Sequence, residues 1–178
     1  MNKTKRTVTV FGSSIPRPGD PEFETAYNLG KALGKKNISV CSGGYQGIMD
    51  AVSKGASETG AEAIGITVNI YNSKPSRYLT KQIDCDSLFE RIDKLIEIGD
   101  GYIILSGGTG TLLELSVVWE YLNKGLLEEK PFAVHGEMWE TIINKMEERI
   151  VTEKRKTGLI NYFDNIEALV KFIDETLK

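Results

Sequence analysis

The feature that most constrains the fold is the alternation of short β-branched or apolar runs with longer segments of helical periodicity. The predicted strands are residues 6–12, 37–42, 61–68, 82–85, 101–105 and 131–135. The predicted helices are residues 21–35, 47–59, 87–98, 111–124, 137–150 and 165–177. Strands and helices that alternate in this way build a parallel sheet with helices on both faces. We therefore expect an α/β fold with a doubly wound parallel sheet.

Length and composition indicate how many domains the chain forms and which classes of partner it can bind. The 178 residues are 40% hydrophobic and 26% charged, which is ordinary for a globular protein. This length corresponds to about one domain, and no repeat, linker or low-complexity segment divides it, so residues 1–178 are predicted to form a single domain. The 22 basic and 25 acidic residues give a net charge of −3, so we expect neither nucleic acid nor a membrane as partner.

The chain offers little for membrane insertion, metal binding or histidine chemistry. No apolar run approaches the ~20 residues that span a bilayer. The basic start, Met1–Arg6, is followed only by the short apolar run Val8–Phe11, so we predict no signal peptide. Cys41 and Cys85 lack metal-ligand spacing, and His135 is the single histidine. We expect no metal site, a cytoplasmic protein with reduced thiols as core filler, and a structural role for His135.

The 18 glycines cluster at corners that connect a predicted strand to the next helix. In parallel sheets, ligands bind beyond the carboxyl ends of the strands, which is where such corners lie. The first corner follows the first strand and is too short for a dinucleotide fingerprint. It is either a loop that binds a small anion or a ribose, or a simple polar turn. Its candidate ligand-binding residues are Gly12, Ser13 and Ser14.

The second corner lies between the second predicted strand and its helix. Gly43 and Gly44 can bring the backbone close to a ligand, and Gly47 lets the helix pack near the strand. The alternative is a helix-entry turn that is merely rich in glycine. The candidate ligand-binding residues of this corner are Gly43, Gly44, Gln46, Gly47 and Met49.

The third corner follows the strand of most continuous apolar character and opens a helix. Gly107, Gly108 and Gly110 leave backbone N–H groups unshielded at a helix N-terminus, an arrangement that binds phosphate. The Thr109 and Thr111 hydroxyls can add hydrogen bonds. We do not expect a Walker-type nucleoside triphosphate site because no Gly-Lys-Ser/Thr follows at the required spacing.

Two charged residues near this corner each have two interpretations. Glu114 either completes a capping box with Thr111, or is a carboxylate beside the phosphate site that serves a sugar hydroxyl or a developing cationic sugar. Arg91 either belongs to a solvated helix face with charged neighbours, or reaches the same site. The local pattern leaves both pairs of alternatives open.

These corners, in this order, resemble the LOG family of Rossmann-like proteins, known best for cytokinin riboside 5′-monophosphate phosphoribohydrolases. The family pattern is an Arg-Lys pair on a helix and then Pro-Gly-Gly-x-Gly-Thr-x-x-Glu. Residues 106–114 match it except that Ser106 replaces the proline, and Arg91 stands fifteen residues before, with Ile92 in place of the lysine. The likeness runs from Val8 to Lys130, and residues 42–60 also resemble molybdenum-cofactor carrier proteins.

The resemblance implies hydrolysis of the N-glycosidic bond of AMP or a cytokinin-type nucleotide, giving free base and ribose 5-phosphate without a cofactor. Arg91 and Glu114 would be catalytic, residues 107–111 would take the 5′-phosphate, and the other corners would hold base and sugar. The alternative is a non-catalytic carrier of a nucleotide or a pterin phosphate. Many relatives carry the label "possible lysine decarboxylase", but that reaction needs a Schiff-base lysine. We reject it because the three corners contain no lysine and Ile92 removes a natural candidate.

The resemblance also implies a homodimer in which helices of one subunit complete the site of the other. Trp119, Tyr121 and Leu122, on the helix after Glu114, are either interface anchors or part of the chain's own core. The segment Tyr71–Leu79, which contains Lys74 and Arg77, is either a lid over the site or a surface loop.

Overall fold

A computed structural model describes residues 6–177, so most of the basic start Met1–Arg6, used for the signal-peptide prediction, lies outside the described residues. Within this range seven strands are β1 (Thr7–Phe11), β2 (Ser39–Ser42), β3 (Ala63–Val68), β4 (Lys81–Cys85), β5 (Gly101–Ile104), β6 (Phe132–His135) and β7 (Asn161–Phe163). The six helices of the same range are α1 (Pro21–Lys35), α2 (Ile48–Ser57), α3 (Leu88–Ile98), α4 (Thr109–Asn123), α5 (Glu137–Thr152) and α6 (Ile166–Thr176).

The strands of residues 6–177 form one sheet in the order β4-β3-β2-β1-β5-β6-β7, and every neighbouring pair is parallel. The chain moves outward from β1 to β4 and then returns to place β5 against the other side of β1. The corners after β1 and β5 therefore flank the point where the strand order reverses, which is the usual ligand position in such sheets. The predicted doubly wound parallel sheet is confirmed.

The two faces of the sheet are covered by different helices. Along each inner strand the side chains alternate between two apolar clusters: Val10 packs on the side of α1, α2 and α6, and Phe11 packs on the side of α3, α4 and α5. Ile103 and Ile104 of β5 divide in the same way. Because both faces of β5 are buried, this strand does not alternate between polar and apolar side chains, as expected for a strand covered on both sides.

Most predicted elements lie within about two residues of the observed ones, and α1 has its predicted bounds because Pro21 suits the first position of a helix. One strand was missed. β7 has three residues and pairs with β6 at the sheet edge, where Tyr162 is partly exposed. Such a short run carries no periodic pattern, and only pairing with β6 makes it a strand. Among the helices of residues 6–177, none is both long and apolar enough to cross a membrane.

The cysteines and the histidine have the structural surroundings that the sequence predicts. Cys41 and Cys85 are free thiols, both buried among apolar side chains next to α3. Burial raises the pKa of the Cys41 thiol to about 12, so this thiol stays protonated and unreactive. The Nδ1 atom of His135 lies 3.0 Å from the carbonyl oxygen of Phe163, joining the ends of β6 and β7.

Candidate functional site

The three glycine corners meet at the carboxyl edge of the sheet. The backbone N–H of Ser13 donates to the carbonyl oxygen of Ser106 at 2.8 Å, and the N–H of Ile48 donates to the carbonyl oxygen of Ser13 at 2.8 Å. The first corner thus links the second and the third, because β1 lies between β2 and β5 in the sheet. These bonds fix the three corners relative to one another.

A cavity of about 410 Å³ opens at this junction. Most residues predicted for the site line it: Gly12, Ser13, Ser14, Met49, Arg91, Gly108, Thr109, Gly110, Thr111 and Glu114. The remaining predicted residues do not contribute to its lining: Gly43, Gly44, Gln46, Gly47 and Gly107. The sequence therefore identified the surroundings of the cavity, but not which glycines face it.

The N-terminus of α4 forms one wall of this cavity. The helix begins at Thr109, and Gly108 is its N-cap residue. The first N–H groups of a helix have no acceptor within the helix, and the helix dipole makes this end positive. Gly108, Thr109 and Gly110 are exposed to the cavity, whereas Thr111 is buried. A wall of this kind can bind an anion such as phosphate.

Gly108 and Gly110 differ from the other glycines of residues 6–177. A Cβ atom added at either position would meet no heavy atom within 4 Å, and neither residue has a positive φ. Every other glycine of this range has a close neighbour at the Cβ position or a positive φ. Neither a neighbouring atom nor a positive φ therefore requires glycine at 108 and 110, and both positions border the cavity.

Glu114 does not complete a capping box. α4 begins two residues before Thr111, so Thr111 lies within the first turn and Gly108 caps the helix without a side-chain hydrogen bond. The Oε1 atom of Glu114 lies instead 3.4 Å from Nη1 of Arg91. The capping-box interpretation is wrong because the glycines let the helix start earlier than the hydroxyl pattern suggested.

Arg91 is buried rather than part of a solvated helix face, and it is only 6% exposed. Its Nε atom donates to the carbonyl oxygen of Ile66 at 2.8 Å, and its guanidinium carbon lies 5.9 Å from the centroid of the Tyr45 ring. The backbone acceptor and the aromatic ring hold the guanidinium in place, and the cation–π contact adds to the attraction. The two charges of the Arg91–Glu114 pair thus face the cavity in a fixed geometry.

Burial raises the pKa of the Glu114 carboxyl to about 7, an effect that the nearby Arg91 charge and hydrogen bond partly offset. A carboxyl group that titrates near neutrality can exchange a proton with a ligand or carry a negative charge at the working pH. Together with an anion-binding helix terminus, this pair can hold a phosphorylated sugar and stabilise positive charge near it.

The second corner contacts residues that line the cavity and holds them in position. A Cβ atom on Gly43 would lie 1.7 Å from Nη2 of Arg91, so only glycine leaves room for the guanidinium. Gly44 accepts a hydrogen bond at its carbonyl oxygen from the N–H of Ser76 (2.9 Å), and Nε2 of Gln46 donates to the carbonyl oxygen of Lys74 (3.1 Å). This corner therefore seats Arg91 and the segment that follows β3.

Four residues that line the cavity were absent from the predicted set: Ile15, Tyr45, Tyr71 and Ser73. Ile15 is an apolar residue in a polar corner, which the sequence could have indicated. Tyr45 is fixed only by long-range contacts, since its hydroxyl donates to the carbonyl oxygen of Val68 and accepts from the Val68 N–H, both at 2.8 Å. Of the segment 71–79, Tyr71 and Ser73 reach this cavity, whereas Lys74 and Arg77 line an adjacent cleft.

Of the residues considered as interface anchors, Tyr121 and Leu122 belong to the core of the chain itself, whereas Trp119 is buried there and also lines a groove beside it. Trp119 and Leu122 are each 6% exposed within the apolar cluster under α4, and Tyr121 packs against that cluster. This groove of about 510 Å³ runs between α4 and α5, and the partly exposed side chains of Leu112 and Met146 contribute to it.

Fold and site together define a Rossmann-like α/β protein with a glycine-rich helix N-terminus beside a buried arginine–glutamate pair. The chain belongs to the SLOG cluster4 family, whose model matches residues 5–169. The resemblance to the LOG family that the glycine corners indicated is therefore confirmed.

Relatives with a named activity are phosphoribohydrolases and nucleosidases. The chain is 27% identical over 127 residues to a cytokinin riboside 5′-monophosphate phosphoribohydrolase of Rhodococcoides fascians, covering 69% of this chain and 64% of that protein. It is 31% identical to the Arabidopsis thaliana phosphoribohydrolase LOG3, over 100% of this chain and 73% of the relative. A pyrimidine/purine nucleotide 5′-monophosphate nucleosidase of Escherichia coli is 31% identical over 53% of this chain and 23% of that protein.

Solved structures extend the fold likeness to proteins of another function. The molybdenum cofactor binding protein of Rippkaea orientalis superposes with a TM-score of 0.76 at 19% identity, covering 97% of both chains. The molybdenum cofactor carrier protein of Chlamydomonas reinhardtii gives 0.76 at 18% identity, covering 97% of this chain and 98% of that chain. At these identities the likeness concerns the fold alone.

Proposed function

We propose that the protein hydrolyses the N-glycosidic bond of a nucleoside 5′-monophosphate, AMP or a cytokinin-type nucleotide, to free base and ribose 5-phosphate. The observation that carries this proposal is the buried Arg91–Glu114 pair, which opens into the same cavity as the bare helix terminus at Gly108–Thr111. The named activities of the relatives support the same reaction class.

In this proposal the 5′-phosphate binds the N–H groups at the start of α4. The positive end of the helix dipole faces the phosphate, and the Thr109 hydroxyl adds a donor. Glu114 lies one turn further along the same helix, so the ribose attached to the phosphate comes to lie against its carboxylate. The hydroxyls of Ser13 and Ser14, in the neighbouring corner of the cavity, are available to the sugar.

The reaction breaks the bond between C1′ of the ribose and a nitrogen of the base, and it forms a bond between C1′ and a water oxygen. The transition state carries positive charge on the ribose ring, as in glycoside cleavage generally. The Glu114 carboxylate stabilises that charge and accepts the proton that the attacking water loses. The base leaves with its bonding electron pair and is then protonated, so water supplies all the atoms that the products gain.

Arg91 stabilises the negative charge that develops on the leaving base. It acts without the lysine of the family pattern, since Ile92 stands at that position and is buried in the apolar core. The carbonyl oxygen of Ile66 and the ring of Tyr45 hold the guanidinium at a single position. A preorganised charge of this kind is a major contribution to catalysis.

The test is release of adenine from AMP by the purified protein, followed by chromatography. Glu114→Gln keeps the size of the side chain but removes its charge, so we expect adenine release to fall roughly 10²–10³-fold while the melting profile stays that of a folded protein. Turnover by Glu114→Gln equal to that of the unsubstituted protein would refute the role of this carboxylate.

A carrier that binds a nucleotide or a pterin phosphate without chemistry is the second candidate. It is supported by the likeness of the fold to molybdenum cofactor carriers and by Ile92, which departs from the hydrolase pattern. Such a carrier needs the anion site but not the Arg91–Glu114 pair. Protection of the protein against melting by AMP, with no adenine released at any pH, would favour the carrier.

We also propose a homodimer that uses the apolar groove between α4 and α5. Leu112 and Met146 expose apolar surface there, and α4 carries both this groove and the anion site, so a second copy would cover residues next to the site. Met146→Glu should then reduce the mass measured by light scattering to that of one chain.

We further propose that residues 1–178 form a single domain and that the protein is cytoplasmic, where thiols stay reduced.

A further inference from the structure

The order of the strands gives the cavity two chemically different ends. The anion-binding wall follows β5, the Ser13–Ile15 wall follows β1, and Tyr71 follows β3 with Tyr45 between them after β2. Three strand spacings separate β5 from β3, or roughly 14 Å. The cavity therefore extends from a positive helix terminus at one end to an aromatic end at the other.

The aromatic end is built by long-range contacts. The rings of Tyr45 and Tyr71 lie edge to face, with centroids 5.8 Å apart and planes inclined at 70°. The carbonyl oxygen of Val68 accepts hydrogen bonds from the Tyr45 hydroxyl at 2.8 Å and from the Tyr71 N–H at 3.3 Å, so one backbone group holds both residues. Tyr45 is thereby buried, whereas 43% of Tyr71 stays exposed in the cavity wall.

Ile15 is the second apolar surface of this cavity. It is 72% exposed, although it follows directly on the polar residues of the first corner. Its backbone N–H donates to the Ser13 hydroxyl at 3.1 Å, which fixes the turn that presents it. An exposed isoleucine and an exposed tyrosine in the wall of one cavity form surfaces that the faces of a flat ring can contact.

We propose that Tyr71, seated on Tyr45, forms together with Ile15 the surface that binds the nucleobase and favours purines over pyrimidines. The inference rests on the proposed function for the orientation of the ligand, since a phosphate at α4 directs the base toward the other end of the cavity. A purine is favoured because its two fused rings cover more of the tyrosine than one ring does. Tyr71 is thus a specificity-determining residue and not a catalytic one, because it contacts the base rather than the bond that breaks.

The experiment measures dissociation constants by calorimetry on the full chain carrying Glu114→Gln, so that bound nucleotide is not consumed. Base–aromatic stacking is strong enough that Tyr71→Ala should weaken AMP binding about tenfold. Binding of CMP should weaken less, and binding of ribose 5-phosphate, which has no base, should stay within about twofold. Tyr71→Phe keeps the ring and should restore AMP affinity.

Tyr162→Ala, which removes a partly exposed tyrosine from the distant strand β7, is the matched control and should leave all three constants unchanged. Equal AMP affinity with and without Tyr71→Ala would overturn the inference. So would an equal loss for AMP and ribose 5-phosphate, which would mean a merely structural role, or no AMP binding at all. Adenine release by the protein without Glu114→Gln is scored separately: its absence, with Tyr71-dependent AMP binding, refutes the hydrolase but not the base site.

Discussion

The glycine corner after β2 and the glycine corner after β5 lie at the same edge of the sheet, and both lead into a helix. In the first of these, protein atoms occupy the space where side chains would go. A Cβ atom on Gly43 would strike the guanidinium of Arg91, and one on Gly47 would lie 2.3 Å from the carbonyl oxygen of Ser13. Gly47 also has φ +70° and ψ −131°, a conformation that is essentially restricted to glycine.

In the corner after β5 the corresponding space is empty. Gly108 and Gly110 have ordinary φ values and no protein atom within 4 Å of an added Cβ, although Gly107 before them is packed against Thr111. Glycine inside a helix is unfavourable by about 0.5–1 kcal/mol relative to alanine, and Gly110 stands in the first turn of α4. The contrast indicates that glycine serves packing in one corner and access to the cavity in the other.

Gly43→Ala is the most direct test of the packing role of the corner after β2. The added methyl group must displace Arg91 from its position beside Glu114, so adenine release should fall roughly 10²–10³-fold, as when a key charged group is removed. Rates are to be measured on protein whose circular dichroism confirms a folded state. A folded Gly43→Ala protein with the original rate would mean that this glycine does not seat Arg91.

A second test compares one glycine from each corner. Gly47→Ala should lower the free energy of unfolding by about 2–4 kcal/mol, since it combines backbone strain with overpacking against Ser13. Gly110→Ala should instead raise stability by up to about 1 kcal/mol because alanine is the better helix former. The same methyl group should weaken AMP binding about tenfold, since it obstructs hydrogen bonds to a charged phosphate.

Urea unfolding gives the free energy of unfolding of each of the two variants, and calorimetry gives the dissociation constant of each for AMP. The comparison fails if Gly110→Ala destabilises the protein as much as Gly47→Ala, since position 110 would then have a packing role. It also fails if Gly110→Ala leaves AMP binding unchanged.

The smallest effect at neutral pH concerns the charge of Glu114. Because the carboxyl pKa is raised to about 7 and the carboxylate is the active form, adenine release should level off above pH 7. Below pH 7 it should fall by up to about tenfold per unit. Gly43→Ala removes Arg91 from the pair, so its profile should shift to higher pH. A profile flat from pH 5 to 8 would contradict this role.

The contribution of Glu114 to the free energy of unfolding should fall as the pH rises, whereas the rate of adenine release should increase. Between the ordinary glutamate pKa of about 4.3 and the folded value of about 7, folded Glu114 holds more proton than unfolded Glu114. Its contribution to the free energy of unfolding therefore declines as the pH rises through this interval. Glu114→Gln should remove that part of the pH dependence, which urea unfolding at pH 5 and pH 8 can measure.

Much of the fold could be predicted because the strands and helices leave local patterns. The apolar run of β5 and the periodicity of α1 fixed those elements within about one residue. β7 left no such pattern, since its three residues form a strand only through pairing with β6. The start of α4 was placed too late because the hydroxyl of Thr111 looked like a cap, whereas Gly108 caps the helix.

The sequence predicted most of the residues that surround the candidate site, but not the contacts between them. The three corners and the residues Arg91 and Glu114 were found from the sequence and its family resemblance, and the structure brings most of them to one cavity. Tyr71 was singled out only as the start of a lid or surface loop. Its contact with Tyr45 depends on β3 lying beside β2, which no local pattern records.

The sequence by itself determined the parallel α/β sheet, the three glycine corners and the charged residues that accompany them, because hydrophobic periodicity and glycine placement are properties of neighbouring residues. Tertiary structure alone decided which glycines pack against other protein atoms and which have open space at the Cβ position. It also decided that Glu114 faces Arg91 and that two tyrosines lie at the end of the cavity away from the start of α4. These are contacts between residues far apart in the chain, and the order of the strands sets them.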